Sequence, residues 1–348
     1  GGFRVNDDKG NPNLEFEKKR ELELGLDLRF FRNRLSLSGT IYRNETRDAL
    51  LYLDLNPSEG YNSIYQNAGR IENKGWETEF EYALVKGDDF NLSVFGNVFA
   101  NRNKVLDLSG VASVNLTSGS SVKSSAVVGQ PLGVLLGSAA LRDANGNLEL
   151  DKNGFPQLDP TGDKVIGDPN PDFKLTGIST LSYKGISFRM QWDYTQGGDM
   201  LAYTPGTVVG RGLSADTDFD RTLPLILPGV KRDGTPNDVQ ISASAAYFNN
   251  LSGFFGVSDI ITYDATMIRL REASLSYSLP SSVLAKSPFG SLSITLSGQN
   301  LWYNAPNFPK YVNFDPETSS LGVSNVRGLE YLSGPTSRRL GVSVRVTF

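Results

Sequence analysis

The stretch RRLGVSVRVTF, Arg338–Phe348, decides the fold. Leu340, Val342, Val344, Val346 and Phe348 fall on one side of an extended chain, and Arg339, Gly341, Ser343, Arg345 and Thr347 fall on the other. Strict period-two alternation marks a strand with one apolar and one polar face. The stretch ends on an aromatic residue with no polar tail behind it. A closed barrel suits such a strand, because its last strand pairs with its first and lipid tolerates no open edge. The last strand of a soluble sandwich would alternate in the same way, so the rest of the chain has to choose between them.

The same pattern recurs upstream. Glu21 to Phe30 sets Leu22, Leu24, Leu26, Leu28 and Phe30 against Glu21, Glu23, Gly25, Asp27 and Arg29. A tight turn at Arg32 to Arg34 leads to a partner strand through Leu35, Leu37, Gly39 and Ile41, and a long polar stretch is expected from about Thr46 to Lys74. Trp76 to Leu84 and Phe90 to Asn103 form the next pair around Lys86-Gly87-Asp88-Asp89. A second long stretch covers roughly Lys104 to Pro171. Phe173 to Tyr183 and Ile186 to Tyr194 make a hairpin joined at Lys184-Gly185, and a third long stretch runs from Gly197 to about Ala265. Thr266 to Leu279 and Leu292 to Trp302 follow, connected through Pro280 and Pro288, before a fourth long stretch. The apolar phase slips between Leu270 and Ala273, which predicts a β-bulge near Arg271-Glu272.

Connections that alternate short and long through about nine strands are the asymmetry of an outer-membrane barrel, with tight periplasmic turns and long extracellular loops. A sandwich has no reason to sort loop lengths by parity, and unstructured loops this long argue against a compact soluble domain. Aromatic residues gather near strand ends (Phe30, Phe31, Trp76, Tyr82, Tyr183, Tyr194, Trp302, Tyr303), as an interfacial girdle requires. The fold expected is therefore all-β, a transmembrane antiparallel β-barrel. With long loops outside, Phe348 lies at the periplasmic end and Gly1 in an extracellular loop. An odd number of strands closes no antiparallel barrel, so further strands are expected from an amino-terminal portion outside this chain.

Composition narrows the functions. The 348 residues contain no Cys and no His. That excludes disulfides, a lipid-anchor cysteine, thiol nucleophiles, Cys/His zinc sites and a Ser-His-Asp triad from this chain. An outer-membrane hydrolase is disfavoured too, since acyl-transfer sites usually take a His base. A net charge of −4 with mixed signs gives no clustered basic face for nucleic acid. No apolar run is long enough for a membrane-spanning helix, which leaves a barrel allowed because only alternate residues face lipid. The chain opens on Gly1-Gly2 with no basic-then-apolar leader.

Several stretches resemble the SusC/RagA-like branch of TonB-dependent outer-membrane transporters. They are NPNLEFEKKRELELGLDLRFF (Asn11 to Phe31), QNAGRIENKGWETEFEY (Gln66 to Tyr82), IGDPNPDFKLTG (Ile166 to Gly177) and the Asp193-Tyr194…Gly197-Gly198-Asp199 run. MIRLREASLSYSLP (Met267 to Pro280), SGQNLW (Ser297 to Trp302), Asp315-Pro316-Glu317, Gly334-Pro335-Thr336 and the final Phe348 follow in order. The resemblance implies a 22-stranded barrel filled by an amino-terminal plug, of which residues 1–348 are the carboxyl-terminal part. It implies a TonB-binding segment before the plug and a SusD-like surface lipoprotein over the mouth. Plug, TonB-binding segment and signal peptide are not found in this chain. The function so implied is TonB-dependent import of an oligomeric nutrient, glycan or peptide, across a Gram-negative outer membrane, with no enzymatic activity. The alternatives are a siderophore or vitamin receptor of the same class, and a barrel scaffold or porin.

No catalytic, cofactor or metal site is expected. Loop aromatics Tyr61, Tyr65, Tyr303, Tyr311 and Phe314 are candidates to stack on a ligand or to pack against a lid. Inward carboxylates at Glu21, Glu23, Asp27, Glu77, Glu79 and Glu81 would line a wet interior. Phe348 is a candidate for barrel closure and assembly. Asp143 to Asp151 places oxygens at alternate positions as a calcium loop does, but Leu148 stands where that loop needs glycine and Gly154 where it needs glutamate. Two β-turns, Asn145-Gly146 and Asn153-Gly154, are the simpler reading.

Overall fold

A computed structural model describes residues 7–117, 122–246, 257–321 and 326–348. Gly1 and Gly2, and with them the placement of Gly1 in an outer loop, lie outside the described residues. Nine long strands dominate: β1 (Lys18–Phe30), β2 (Leu35–Asp54), β3 (Ser63–Lys86), β4 (Phe90–Asp107), β5 (Phe173–Tyr183), β6 (Ile186–Gln196), β7 (Met267–Ser278), β8 (Ser291–Asn304) and β9 (Arg339–Thr347). Each pairs antiparallel with the next, and a short strand, Asp8–Lys9, adds in parallel to β3. The sheet is open: β1 and β9 form its two edges.

Directly opposite residues in an antiparallel pair share a face, so the registers can be followed as rows around the wall. One row runs Leu28, Leu37, Phe80, Gly96, Gly177, Trp192, Leu270 and Trp302. Trp192 and Trp302 meet edge to face at 6.1 Å. The neighbouring row runs Asp27, Ser38, Glu79, Asn97, Thr176, Asp193 and Arg269. Ser38 Oγ donates to Asp27 (2.7 Å) and Asn97 Nδ2 to Glu79 (3.0 Å), so the polar face is tied together across strands. The apolar face carries no cover: Leu24 is 69 % exposed, Val342 70 % and Val344 60 %. Bare apolar surface of this extent belongs against lipid, and the carboxylates expected to point inward do share the opposite face.

The bulge is present: Gln191 pairs with Glu272 and Trp192 with Leu270, so Arg271 is the extra residue. The long polar stretch from Thr46 to Lys74 is a correction. Residues to Asp54 and from Ser63 are strand, leaving only 55–62 as the connection. Beyond Ile41 the outward positions turn polar, Arg43, Glu45 and Arg47, because the wall has left the apolar slab while its backbone pairing continues. Alternation of apolar and polar residues stops there, but the ladder does not. Slips in register at Thr46–Leu50, with Asp48 at φ 58°, blur the period further.

The connections 31–34, 87–89, 184–185 and 279–290 lie at one end of the sheet. Lys184 and Gly185 both take positive φ (45° and 87°), the two-residue hairpin turn expected. The opposite end carries 55–62, 108–172, 197–266 and 305–338, and described residues of the last three build small sheets and apolar cores of their own. Val122, Leu135, Leu201, Ile261 and Leu329 form one such core, and Met200, Ala202, Phe308 and Phe314 another. An eight-residue helix, Tyr203–Gly210, begins where the buried Glu330 carboxylate accepts from the Thr204 amide (2.8 Å). A carboxylate is favourable at that helix end.

Candidate inner-wall binding site

At the loop end, the inward faces of the strands and the loop bases enclose two adjoining cavities. The first, about 420 Å³, lies over β2 to β4 and is lined by Glu17, Asn73, Asn101, Asn103, Asn170 and Arg327 together with leucines. The second, about 440 Å³, lies over β5 to β7 and is lined by Lys174, Thr195, Asp199, Met267, Glu317 and again Arg327. Pro169 and Arg327 belong to both.

The first cavity's asparagines occupy successive inward positions. Asn73 Nδ2 donates to Asn44 Oδ1 (3.1 Å) and Asn101 Nδ2 to Asn73 Oδ1 (3.3 Å). Tyr42 Oη donates to Asn101 Oδ1 at 3.1 Å, lying flat over Gly75 to reach it. A Cβ on Gly75 would stand 2.4 Å from the Tyr42 ring and 2.5 Å from the Ala100 carbonyl. Asn73-Lys74-Gly75-Trp76 thus has a local reason for each residue: amide ladder, outward cation, ring seat, outward aromatic.

Beside the second cavity, β7 is fastened to the last loop by four charges. Arg269, 1 % exposed, pairs with Asp315, and Arg271 holds Glu317 through its two terminal guanidinium nitrogens (2.6 and 2.8 Å). Arg271 Nε also reaches Asp193 at 2.5 Å, which in turn accepts from Thr176 Oγ1 at 3.0 Å. Alternation alone puts Arg271 on the inward face with Arg269, and the bulge then brings Glu272 to the same face, opposite Gln191. In the sequence the bulge and the Asp315-Pro316-Glu317 stretch stand apart, with nothing local to join them. The shared spacing, Arg-x-Arg against Asp-x-Glu, was the available signal.

Asp199 lies partly buried in the second cavity and accepts from the Asp168 amide at 2.8 Å. Burial pushes its carboxyl up from the ordinary range, with that amide acting against the shift and Asp264, Asp168 and Asp172 adding to it. Tyr263, under the same loops, is pushed up to about 12, first by burial and then by Asp216. Lys174 and Arg327 make no ion pair with any described residue, whereas Glu317 is held by Arg271.

The five candidate aromatics are scattered, and none lines either cavity. Tyr65 packs on Tyr52 at 4.7 Å, and Tyr61 is half-buried on the 55–62 connection. Tyr303 donates its hydroxyl to the Asn313 carbonyl (2.5 Å) beneath the Arg269 guanidinium. Phe314 is 8 % exposed and stacked in a loop core with Phe308 at 5.2 Å, which is a packing position. Tyr311 is 57 % exposed. Phe348 projects at the short-connection end, edge-on to Phe289 at 5.6 Å. Asp143 and Asp151 spend their carboxylates on their own turns, Asp143 accepting from the Asn145 and Asn147 amides and Asp151 from Asn153 and Phe155. These are the two turns expected at Asn145-Gly146 and Asn153-Gly154.

Comparison with known proteins accords with this architecture. The family described as TonB dependent receptor-like, beta-barrel matches residues 1–134. TonB-dependent receptor P3 of Formosa agariphila is 27% identical over 369 residues, covering 98% of this chain and 35% of that protein. TonB-dependent receptor SusC of Bacteroides thetaiotaomicron is 28% identical over 193 residues, covering 51% of this chain and 19% of that protein. The structure of the RagAB peptide transporter superposes with a TM-score of 0.69 at 21% identity, covering 98% of this chain and 36% of that chain. The chain therefore spans about a third of the length of P3 (35%) and of the RagAB chain (36%), and its match to SusC covers 19% of that protein. They are receptors and transporters, not enzymes.

Proposed function

We propose that this chain, which carries a TonB-dependent receptor barrel and resembles the SusC/RagA-like branch, forms the later wall strands of an outer-membrane importer for an oligomeric nutrient. The observation that carries the reading is the division of one sheet into a bare apolar exterior and a polar interior whose cavities open beneath long loops. In this reading residues 1–348 are the carboxyl-terminal part of the barrel, and the plug and TonB-binding segment belong to the remainder of a longer protein. Strands from that remainder would pair with β1 and β9.

The inner rim has the chemistry of a weak, broad recognition surface. Asparagine side chains both donate and accept, which complements the hydroxyls of a glycan and the amides of a peptide alike. The resemblance to RagAB, a peptide transporter, supports the peptide reading, and the resemblance to SusC-type receptors supports a SusD-like lipoprotein as the lid. Ligand held above the plug would enter when TonB, pulling on the distant segment, opens a path along this wall. The Arg269–Asp315 and Arg271–Glu317 contacts keep the last loop against the wall during that cycle.

Uptake of labelled peptides and oligosaccharides by cells carrying the full-length protein, with and without TonB, tests this. The importer reading expects uptake that disappears without TonB and a lipoprotein that co-purifies. Uptake indifferent to TonB would favour a porin, and TonB-dependent uptake of a metal chelate with no lipoprotein would favour a siderophore receptor.

A further inference from the structure

On the outer surface of β1–β4, charge begins abruptly beyond the apolar rows at the loop end. The last apolar row at the loop end is Leu24, Ile41, Trp76 and Ala100. Two residues further along each strand, the row continues Leu22, Arg43, Lys74 and Arg102. Two residues further again it reads Arg20, Glu45, Glu72 and Lys104. Two residues of strand are roughly 7 Å, about the depth of one headgroup layer, so the first charged row lies where headgroups begin. Trp76, directly below it, has the position of an interfacial aromatic.

Arg43, Lys74 and Arg102 stand directly opposite one another across three strands, an arrangement that is unfavourable unless anions come between them. The wall supplies too few. Glu72 serves both Arg43 (2.5 Å) and Lys74 (2.6 Å), and Glu45 is taken by Arg47 (2.7 Å) and Arg70 (3.1 Å). Arg102 has Asp172 at 2.5 Å, itself half exposed. Arg20 and Lys104 have no ion-pair partner among the described residues. A cationic surplus thus faces outward at headgroup height in a chain whose net charge is −4. The belt is confined to β1–β4: β6, β7 and β8 carry Tyr194, Ile268 and Asn304 outward at their loop ends.

We propose that the outward face of β1–β4 binds the phosphate groups of a lipid headgroup in the leaflet at the loop end. Phosphate oxygens would bridge Lys74 to Arg102 and meet Arg20 and Lys104, while the acyl chains lie on Leu24, Ile41 and Trp76. Guanidinium groups suit this contact because they match phosphate oxygens two at a time. The inference rests on the barrel reading and on the loop end facing the outer leaflet. It does not depend on what the protein imports.

The test uses the full-length receptor in phosphatidylcholine vesicles containing a minor fraction of lipid A, either diphosphorylated or dephosphorylated. Lipid retained on the extracted protein is read by native mass spectrometry. Arg20→Gln/Lys104→Gln is the informative variant, because neither side chain has an ion pair to break. Lys152→Gln/Lys286→Gln makes the same charge change elsewhere. The wild type is expected to retain the diphosphorylated lipid preferentially, with that preference falling roughly five- to thirtyfold in Arg20→Gln/Lys104→Gln and unchanged in the control. Heat-modifiability on a gel shows that the variant barrel is folded. Retention that ignores phosphate, or survives the variant, overturns the proposal. So does loss of a co-purifying protein with lipid retention intact, which would make the belt a protein interface. Uptake that fails in the wild type while lipid preference persists would instead count against the importer reading.

Discussion

A few buried charges hold the last loop against the wall. Arg269 and Asp315 have side chains only 1% and 2% exposed, so removing one leaves the other charged and dry. Arg269→Gln is expected to cost about 3–5 kcal/mol locally, freeing the last loop from β7. Limited proteolysis within 305–321 should accelerate, and Asp315→Asn added to it should restore part of the protection. Unchanged cleavage would mean that the pair does not hold the loop. Asp199 gives a pH dependence of defined sign. Its folded-state value is raised, chiefly by burial, so the folded protein holds that proton more tightly than the unfolded chain. Its cost is absent below the ordinary carboxylate range and grows as pH rises through the raised value. Stability should therefore fall with rising pH across that window, and Asp199→Asn should flatten the fall while keeping an acceptor for the Asp168 amide. An identical slope in thermal midpoint for both proteins would refute the assignment. Little of this is legible in the sequence: Arg269 and Asp315 are far apart in the chain, with only the matching Arg-x-Arg and Asp-x-Glu spacing to link them, and burial of Asp199 depends on three separate loops.

Elements were easier to read. Every long strand was visible as alternation, because each crosses a slab whose two sides demand opposite chemistry. β1 and β9 show this most plainly, with leucine or valine against charge and serine, and the slip at Arg271 was legible as a change of phase. The extensions of β2 and β3 past Ile41 and Trp76 were not, since above the slab both faces are polar and only backbone pairing remains. The short strands of the loops were missed for a related reason: pieces such as Val134–Gly137 and Lys164–Gly167 are too brief to show a period. Register gives the faces a direct test. Val344 pairs with Ile294 on the lipid side and Ser343 with Thr295 on the inner side. Val344→Arg is expected to cost about 2–4 kcal/mol and Ser343→Arg far less. Denaturant titration of the full-length barrel followed on a gel reads the difference, and equal losses would contradict the register.

For the whole molecule, the open edges matter most. β1 and β9 each present a row of backbone groups unpaired by any other described strand, and in lipid each such group costs several kcal/mol. Residues 1–348 expressed alone should therefore aggregate or be degraded, and should assemble with the remainder of the barrel. Phe348 tests the seam from the other side. It is 88 % exposed, touching Phe289, so its ring contributes little to a sheet already formed. Deleting Val346 to Phe348 should lower surface abundance far more than it lowers the thermal midpoint of barrel that reaches the membrane; normal abundance would remove the assembly role. Thiol labelling tests whether the wall faces lipid with its long connections outside, since this chain has no cysteine of its own. Single cysteines at Ser58, on the 55–62 connection, and at Asp88, on the 87–89 turn, are treated in intact cells with a membrane-impermeant maleimide. The account predicts labelling of Ser58→Cys in intact cells and of Asp88→Cys only after the outer membrane is opened. Labelling of Asp88→Cys in intact cells, with or without Ser58→Cys, would contradict it.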